Sequence, residues 1–245
     1  MTARILSATI VRVLQQLRHD HRTVGMIIAV PVVLMTLLYF MFDGEQPQVS
    51  GLILIMLGIF PFIIMFLVTS IAMLRERTTG TLERLMTTPT GKLDLLFGYG
   101  ISFGSAAAVQ ASVAAACGYW LFGMQTAGAA YLVVVVAVLT AVLGVGIGLL
   151  GSAFARTEFQ AVQLLPIVVI PQILLCGLFV PREEMGTWLQ VLSDLMPLSY
   201  AVDALQQVGM HSEPTGQLWR DLAVIAGCAV LAMSLAAATL RRRTD

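Results

Sequence analysis

The sequence predicts an all-α polytopic membrane protein, on the strength of its composition and its long uncharged stretches. Hydrophobic residues make up 58% of the 245 residues and charged residues only 11%, whereas soluble domains use about 45–50% and about 25%. So few charged side chains cannot cover the surface of a water-soluble protein of this length. The uncharged stretches are long enough for helices that cross a bilayer, which takes about 20 apolar residues each.

Six membrane-spanning helices follow from five stretches that hold no Asp, Glu, Lys or Arg. The longest stretch, residues 95–155, is divided by a Gly-rich turn at 122–128, with Trp120 and Tyr131 as interfacial aromatic residues on either side. We treat residues 1–245 as a single membrane domain. Its predicted spans are residues 24–42, 52–74, 95–121, 129–154, 159–180 and 221–240.

The distribution of basic residues predicts the orientation of these spans. Six spans place both termini on the same side of the membrane, and only Arg182 and Arg220 of the 14 basic residues fall on the opposite side. Because cytoplasmic loops carry an excess of Lys and Arg, both termini are predicted to be cytoplasmic in a multi-pass protein of the cell membrane.

The spans lack the groups that several function classes need. No charged side chain lies at mid-membrane depth in them, although proton relays, ion coupling and intramembrane metal sites depend on such groups. The chain also lacks the G-x-x-x-x-G-K-[ST] phosphate-binding loop. We therefore expect no catalytic residues, no metal site and no cofactor in this chain, and no nucleic-acid partner. Any nucleotide must be bound by another chain.

The most distinctive connection is the segment 75–91 between the second and third spans. Its apolar residues recur at helical spacing, Gly80 suits an N-cap, Glu83 suits a first turn, and Pro89 ends the pattern. Both a helix resting on lipid and a docking helix for a cytoplasmic partner remain open. The residues that would carry the docking are Arg75, Glu76, Arg77, Gly80, Thr81, Leu82, Glu83, Arg84, Leu85, Met86 and Pro89.

Residues 1–23 are predicted to form an amphipathic helix in the inner membrane interface. Its apolar residues fall within about 100 degrees of a helical wheel, with Arg4 and Arg12 outside that arc. The arginines suit either anionic lipid headgroups or the support of a soluble partner. The apolar residues are Leu6, Ile10, Val13, Leu14 and Leu17.

Two short amphipathic helices are predicted in the outer connection, residues 181–219. The first covers Trp188 to Met196, and Pro197 separates it from a second apolar stripe. Two interpretations remain open: both helices dip partly into the outer leaflet, or they form a lid packed on the ends of the spans. In the spans, the pairs Gly100–Gly104 and Gly144–Gly148 predict close helix approach within the subunit.

Two patterns resemble a known family. The sequence Arg-Glu-Arg-x-x-Gly-Thr-Leu-Glu-Arg-Leu-x-x-Thr-Pro at 75–89 is similar to the coupling segment of the ABC type-2 exporter permeases, six-span subunits of drug-resistance, lipid and polysaccharide exporters. The order of Leu174–Pro181, Trp188–Met196 and Pro197–Tyr200 also resembles that family. Its outer gate region would include Gly177, Phe179, Pro181, Trp188, Pro197 and Tyr200.

The resemblance implies a permease dimer, of this chain or with a paralogue, joined to two ATPase subunits that bind ATP and Mg. Segment 75–91 would transmit nucleotide-driven motion to the spans. Thr78, Gln206 and Gln207 depart from the family pattern and leave the cargo open.

Uncharged spans suit a hydrophobic or amphipathic cargo, either a drug or a lipid. The candidates for its path could also face lipid or make helix-packing hydrogen bonds, as Gln110 could. The alternative function is a non-transporting membrane scaffold that docks a cytoplasmic partner. The candidate path residues are Met56, Phe60, Phe62, Phe66, Gln163 and Gln172.

Overall fold

The computed structural model describes residues 3–42, 48–81 and 92–239, and within these ranges the chain is all-helical. A short 3-10 helix at Arg182–Glu184 follows the fifth span. The α-helices of the described residues are α1 Ala3–His19, α2 His21–Met41, α3 Gln48–Thr78, α4 Lys92–Trp120, α5 Ala130–Gly151, α6 Glu158–Leu175, α7 Thr187–Leu195, α8 Pro197–Met210 and α9 Gly216–Ala238.

Six of the described helices are long and apolar enough to cross a membrane, and they confirm the all-α membrane fold with six spans. They are α2, α3, α4, α5, α6 and α9. Helix α1 precedes the first span, and α7 and α8 lie between the fifth and sixth, in the order that the sequence predicts.

Helices α3 and α5 form the centre of the bundle because two glycines of α5 let the backbones approach closely. A methyl group on Gly144 would lie 2.5 Å from the carbonyl oxygen of Phe62, and one on Gly148 would lie 2.5 Å from that of Phe66. Small residues allow such approach in membrane helices. The predicted use of this glycine pair within the subunit is thus confirmed. Helices α2 and α6 are the least buried of the six spans.

Part of the apolar stripe of helix α1 packs against α4, and only the remainder is available to lipid. Val13 is 2% exposed and Gly98 of α4 lies against the side chain of Thr9, so this part of the stripe is covered by the chain itself. Leu14, at 37% exposed, remains accessible. Asp20 separates α1 from α2 and caps α2, with its side chain accepting hydrogen bonds from Thr23 N (3.1 Å) and Thr23 Oγ1 (2.6 Å).

Among the helix ends that differ from the predicted spans, three bear on the polar contacts at the ends of the bundle. Helix α3 continues through Thr78, so residues 75–77 form its last turn, where basic side chains suit the helix dipole. Helix α6 ends at Leu175, and Gly177 takes a left-handed φ of 89° that favours glycine. Helix α9 begins at Gly216, so Asp221 lies inside it and is fully buried.

The bundle has a basic end and an acidic end. The basic end holds α1, the C-terminal turn of α3, the start of α6 and the end of α9. The acidic end holds α7, α8 and the start of α9. The predicted cytoplasmic side corresponds to the basic end, and the predicted outer side to the acidic end.

Candidate functional site

The last turn of α3 joins three other helices through three consecutive residues. Successive residues of an α-helix point about 100° apart, so Arg75, Glu76 and Arg77 face different neighbours. Arg75 pairs with Glu158 at the start of α6, through Nε to Oε1 at 2.7 Å and Nη2 to Oε2 at 3.2 Å. Both side chains are more than half exposed, so this pair contributes about 1 kcal/mol at most.

Glu76 connects α3 to α1 in a much less exposed setting. The residue is 8% exposed, with Oε1 3.6 Å from Arg12 Nη1 and 3.4 Å from Gln16 Nε2. The other oxygen, Oε2, is buried and accepts no hydrogen bond. Arg12 also donates to the hydroxyl of the buried Tyr99 on α4, so one guanidinium joins three helices.

Arg77 connects the same turn to the end of α9. Its Nη2 donates to Thr239 Oγ1 at 3.0 Å, and Thr239 is the C-cap residue of α9. A cation near a helix C-terminus interacts favourably with the helix dipole. Residues 75–77 therefore contact α1, α6 and the end of α9.

The remainder of the predicted coupling segment is described only at its start. Gly80 has a φ of 73°, a left-handed conformation that favours glycine just after α3 ends, and Thr81 follows it in a helical conformation. The side chain of Arg4 lies outside the described part of α1. Also outside the described residues are Leu82, Glu83, Arg84, Leu85, Met86 and Pro89.

A cavity of about 290 Å³ lies beside Glu76 at the basic end, between α1, α2, α3 and α4. Its apolar wall includes Leu67, Ile71 and Phe103, and its polar part includes Asp20 and Glu76. Met26, which is 54% exposed, also lines it, so the cavity communicates with the surface of the subunit. Hydrogen bonds from Thr23 hold the pKa of Asp20 below its ordinary value.

The acidic end contains an ion-pair network centred on Arg182. Its guanidinium pairs with Asp203 of α8 and Asp194 of α7, and it lies 5.5 Å from the ring centre of Tyr200. The hydroxyl of Tyr200 donates to the carbonyl of Asp194 at 2.8 Å. Burial raises the pKa of Asp203, although the charge of Arg182 opposes that effect.

Hydrogen bonds fix α7 and α8 onto the end of α6. Ser193 Oγ donates to the carbonyl of Leu175 at 2.8 Å, and Ser199 Oγ donates to the same carbonyl at 3.4 Å. Gln172 Oε1 accepts from Leu198 N at 3.4 Å, and its Nε2 donates to Val168 O at 3.0 Å. The two serine contacts satisfy the carbonyl of Leu175, which the end of α6 leaves unpaired.

The predicted gate residues divide between this network and the surface. Gly177 and Pro181 line a cavity of about 630 Å³ at the acidic end, together with Arg182. Tyr200 contacts Arg182, and Pro197 is the first residue of α8. Phe179 and Trp188, by contrast, are 67% and 69% exposed.

Sequence reasoning treated Arg182 only as a basic residue of the outer side and did not identify Asp194 and Asp203 as its partners. A usable signal was present, since Arg182 is the one Lys or Arg in residues 181–219 and is surrounded there by carboxylates. The second predicted stripe is confirmed as the buried face of α8. It consists of Leu198, Ala201, Leu205 and Val208, each at most 2% exposed.

The residues proposed to line a cargo path occupy different environments. Met56, Phe62 and Phe66 are buried in the core of the subunit, because α3 is covered by α5 at its glycine contacts. Their predicted exposure to a pathway or to lipid is therefore wrong for the single subunit. Phe60 is half-buried at the edge of that core.

The two α6 glutamines proposed for the path, Gln163 and Gln172, also lie in different environments. Gln172 is 3% exposed and makes the helix-packing hydrogen bonds given above. Gln163 is exposed on a face that continues through Ile167, Ile170 and Leu174, which are 68%, 47% and 55% exposed. An amide on an apolar face within a span is costly unless another group pairs with it. Gln163 thus remains a candidate for contact with a partner or a cargo.

Six apolar helices, with polar connections at both ends, define the chain as a multi-pass membrane protein. Comparison with known proteins gives its family. Residues 5–209 match the family described as ABC-2 type transporter. The chain belongs to this family.

Similar proteins include a permease of Escherichia coli strain K12 named "Probable multidrug ABC transporter permease YbhR", 30% identical over 177 residues, which are 72% of this chain and 48% of that protein. The linearmycin resistance permease protein LnrN of Bacillus subtilis strain 168 is 26% identical, over 55% of this chain and 35% of that protein. ABC transporter G family member 20 of Dictyostelium discoideum is 24% identical, over 72% and 24%. The matched regions cover about half or less of these relatives.

Proposed function

We propose that this chain is the membrane-spanning subunit of an ATP-driven exporter. The observation that carries the proposal is the junction at residues 75–77, which joins the start of the coupling segment to α1, α6 and α9. A permease needs such a connection if force from a cytoplasmic partner is to move its spans. The names of two relatives, a probable multidrug permease and a linearmycin resistance permease, support the same function.

In this proposal the energy source lies in a partner. Two ATPase subunits bind ATP and Mg and contact segment 75–91, while this chain contributes no catalytic residue, metal ligand or cofactor. The basic end faces the cytoplasm, together with both chain termini, in a cell membrane. Its excess of Lys and Arg supports this orientation.

The cargo path runs between two permease subunits, either two copies of this chain or this chain with a paralogue. Helices α2 and α6 support this arrangement because they are the least buried spans and carry large exposed apolar side chains such as Phe40 and Phe159. Gln163 would then face the path or the second subunit. Drug-like or lipid-like cargo fits the apolar surface, and membrane lipids cover the rest.

Transport follows from two conformations whose populations depend on nucleotide in the partner. When the ATPase subunits approach each other, they displace segment 75–91, and the junction transmits that displacement to three helices. A ligand shifts such an equilibrium only by its difference in affinity for the two states. The contacts of residues 75–77 must therefore differ between the states.

A double charge reversal, Glu83→Lys with Arg84→Glu, tests the proposal. In vesicles holding the complete complex, we expect loss of assembly or of cargo-stimulated ATP hydrolysis. The matched control is Glu213→Lys with Arg156→Glu, a reversal of two exposed charges outside the segment. Unchanged assembly and hydrolysis in the test variant would remove the coupling role. Assembly without nucleotide-dependent cargo release in the wild-type complex would indicate a scaffold instead.

A further inference from the structure

The cavity beside Glu76 has properties of a ligand site that the coupling role does not explain. Its volume of about 290 Å³ lies near the lower limit of small-molecule pockets, about 300 Å³. A compact molecule fits this space, whereas a phospholipid with two acyl chains does not. The apolar wall formed by α3 suits the hydrophobic part of such a molecule.

The charges around the cavity favour a cation. Two carboxylates and one guanidinium line the cavity among the described residues, and one further carboxylate and one further guanidinium pair with these lining groups. The five residues are Asp20, Glu76, Arg75, Glu158 and Arg12. Both oxygens of Glu158 are already bound by Arg75. Asp20 accepts two hydrogen bonds from Thr23. Glu76 has the longer contacts of Oε1 and lies near the hydroxyl of Tyr99, and its Oε2 has no hydrogen-bond partner by geometry.

Glu76 is therefore the acid with unused acceptor capacity, and it is nine-tenths buried. Desolvation strengthens an ion pair there relative to one in water. The buried rings of Tyr99 and Phe103, with centres 6.4 Å apart, form the adjacent wall, and aromatic faces attract cations.

We propose that this cavity binds one compact amphipathic cation, with its ammonium group on Glu76 and its apolar part against α3 and Phe103. The inference rests on the proposed function in naming this molecule as cargo that enters from the membrane leaflet at the basic end. Occupancy would also compete with Arg12 for Glu76, so a bound cation would loosen the contact between α1 and α3.

The test uses the full chain in phosphatidylcholine nanodiscs and two probes with one fluorophore. Dansyl-ethylenediamine carries an ammonium group, and the N-ethyl amide of dansyl is its uncharged counterpart. We expect the cationic probe to bind with enhanced emission. Glu76→Gln should weaken that binding by about 10- to 100-fold, the loss expected for a hydrogen bond to a charged group.

Three controls make this result specific. Glu184→Gln removes an exposed carboxylate at the acidic end, far from the cavity, and it should leave binding of the cation unchanged. The uncharged probe should not distinguish Glu76→Gln from the wild type. If Glu76→Gln does not fold, Ala72→Phe, which fills the cavity from α3, should abolish binding of the cation.

The inference is overturned if Glu76→Gln binds the cation as the wild type does, or if Ala72→Phe does. Displacement of the cation by phosphatidylethanolamine in the nanodisc would identify a lipid amine as the occupant and refute the compact ligand. Export activity of the complete complex is measured separately. Export without binding that depends on Glu76 refutes only this site, whereas Glu76-dependent binding without export refutes only the proposed function.

Discussion

Substituting Gly148 with alanine is expected to destabilise the bundle at the contact between α3 and α5. The added methyl group would lie 2.5 Å from the carbonyl oxygen of Phe66 and 3.1 Å from its Cα, and it would also overlap the hydroxyl of Thr69. A backbone carbonyl cannot rotate away as a side chain can, so the two helices must separate. Overpacking of this kind costs about 1–3 kcal/mol.

The expected loss is measurable by thermal unfolding of the purified protein in detergent. For 150–250 residues, about 1 kcal/mol shifts Tm by roughly 2–4 °C, so Gly148→Ala should lower Tm by about 2–12 °C. Gly227→Ala is the matched control, because Gly227 lies in the span α9 and a methyl group there would meet nothing within 4 Å.

The control variant should melt at or slightly above the wild-type temperature, because alanine is the better helix former by about 1 kcal/mol. Equal melting temperatures for Gly148→Ala and the wild type would refute the close approach of α3 and α5. A large loss in Gly227→Ala would show that the assay responds to any added methyl group and not to this contact.

Three further predictions concern charged residues. Arg182→Ala should lower the free energy of unfolding by up to about 3–5 kcal/mol, because it leaves Asp203 without its partner. The measurement is denaturant unfolding of the purified protein. In the same measurement, the double variant Arg182→Leu, Asp203→Leu should recover part of that loss. Burial raises the pKa of Asp203, so its contribution to stability is greatest below the ordinary pKa of about 3.9 and falls as pH rises through the raised pKa. Asp203→Asn should remove that decline, and parallel Tm–pH curves for the two proteins would contradict this. Asp20→Ala should lose about 0.5–2 kcal/mol by removing the cap of α2, as measured by Tm at neutral pH. Since the pKa of Asp20 is lowered, its contribution exists above pH of about 3.9 and disappears as pH falls, so the Tm values of variant and wild type should converge in acid.

The number and order of the spans could be predicted because each depends on local composition. An uncharged stretch of bilayer length forms a membrane helix whatever its neighbours are. The buried face of α8 was equally accessible, since Leu198, Ala201 and Leu205 repeat at helical spacing.

Contacts between distant segments could not be predicted in this way. Arg12 lies on the polar side of its own helix. Its partners are Glu76 and Tyr99, which follow it in the chain by 64 and 87 positions. Helical spacing indicates which residues share a face but not which helix covers that face. For the same reason Phe62 and Phe66 could be placed in a span, but their burial against α5 could not be foreseen.

The junction at residues 75–77 limits how parts of related permeases can be exchanged. Each of its three residues has its own partner, on α1, α6 or α9, and these partners are scattered from Arg12 to Thr239. A chimera that receives only segment 75–91 of another permease would carry that segment without the residues of α1, α6 and α9 that contact it. Deletion of one residue within α3 would rotate the turn by about 100° and give all three side chains the wrong neighbours. Under the proposed coupling role, a transplanted segment should therefore work only when Arg12, Glu158 and Thr239 are matched to it.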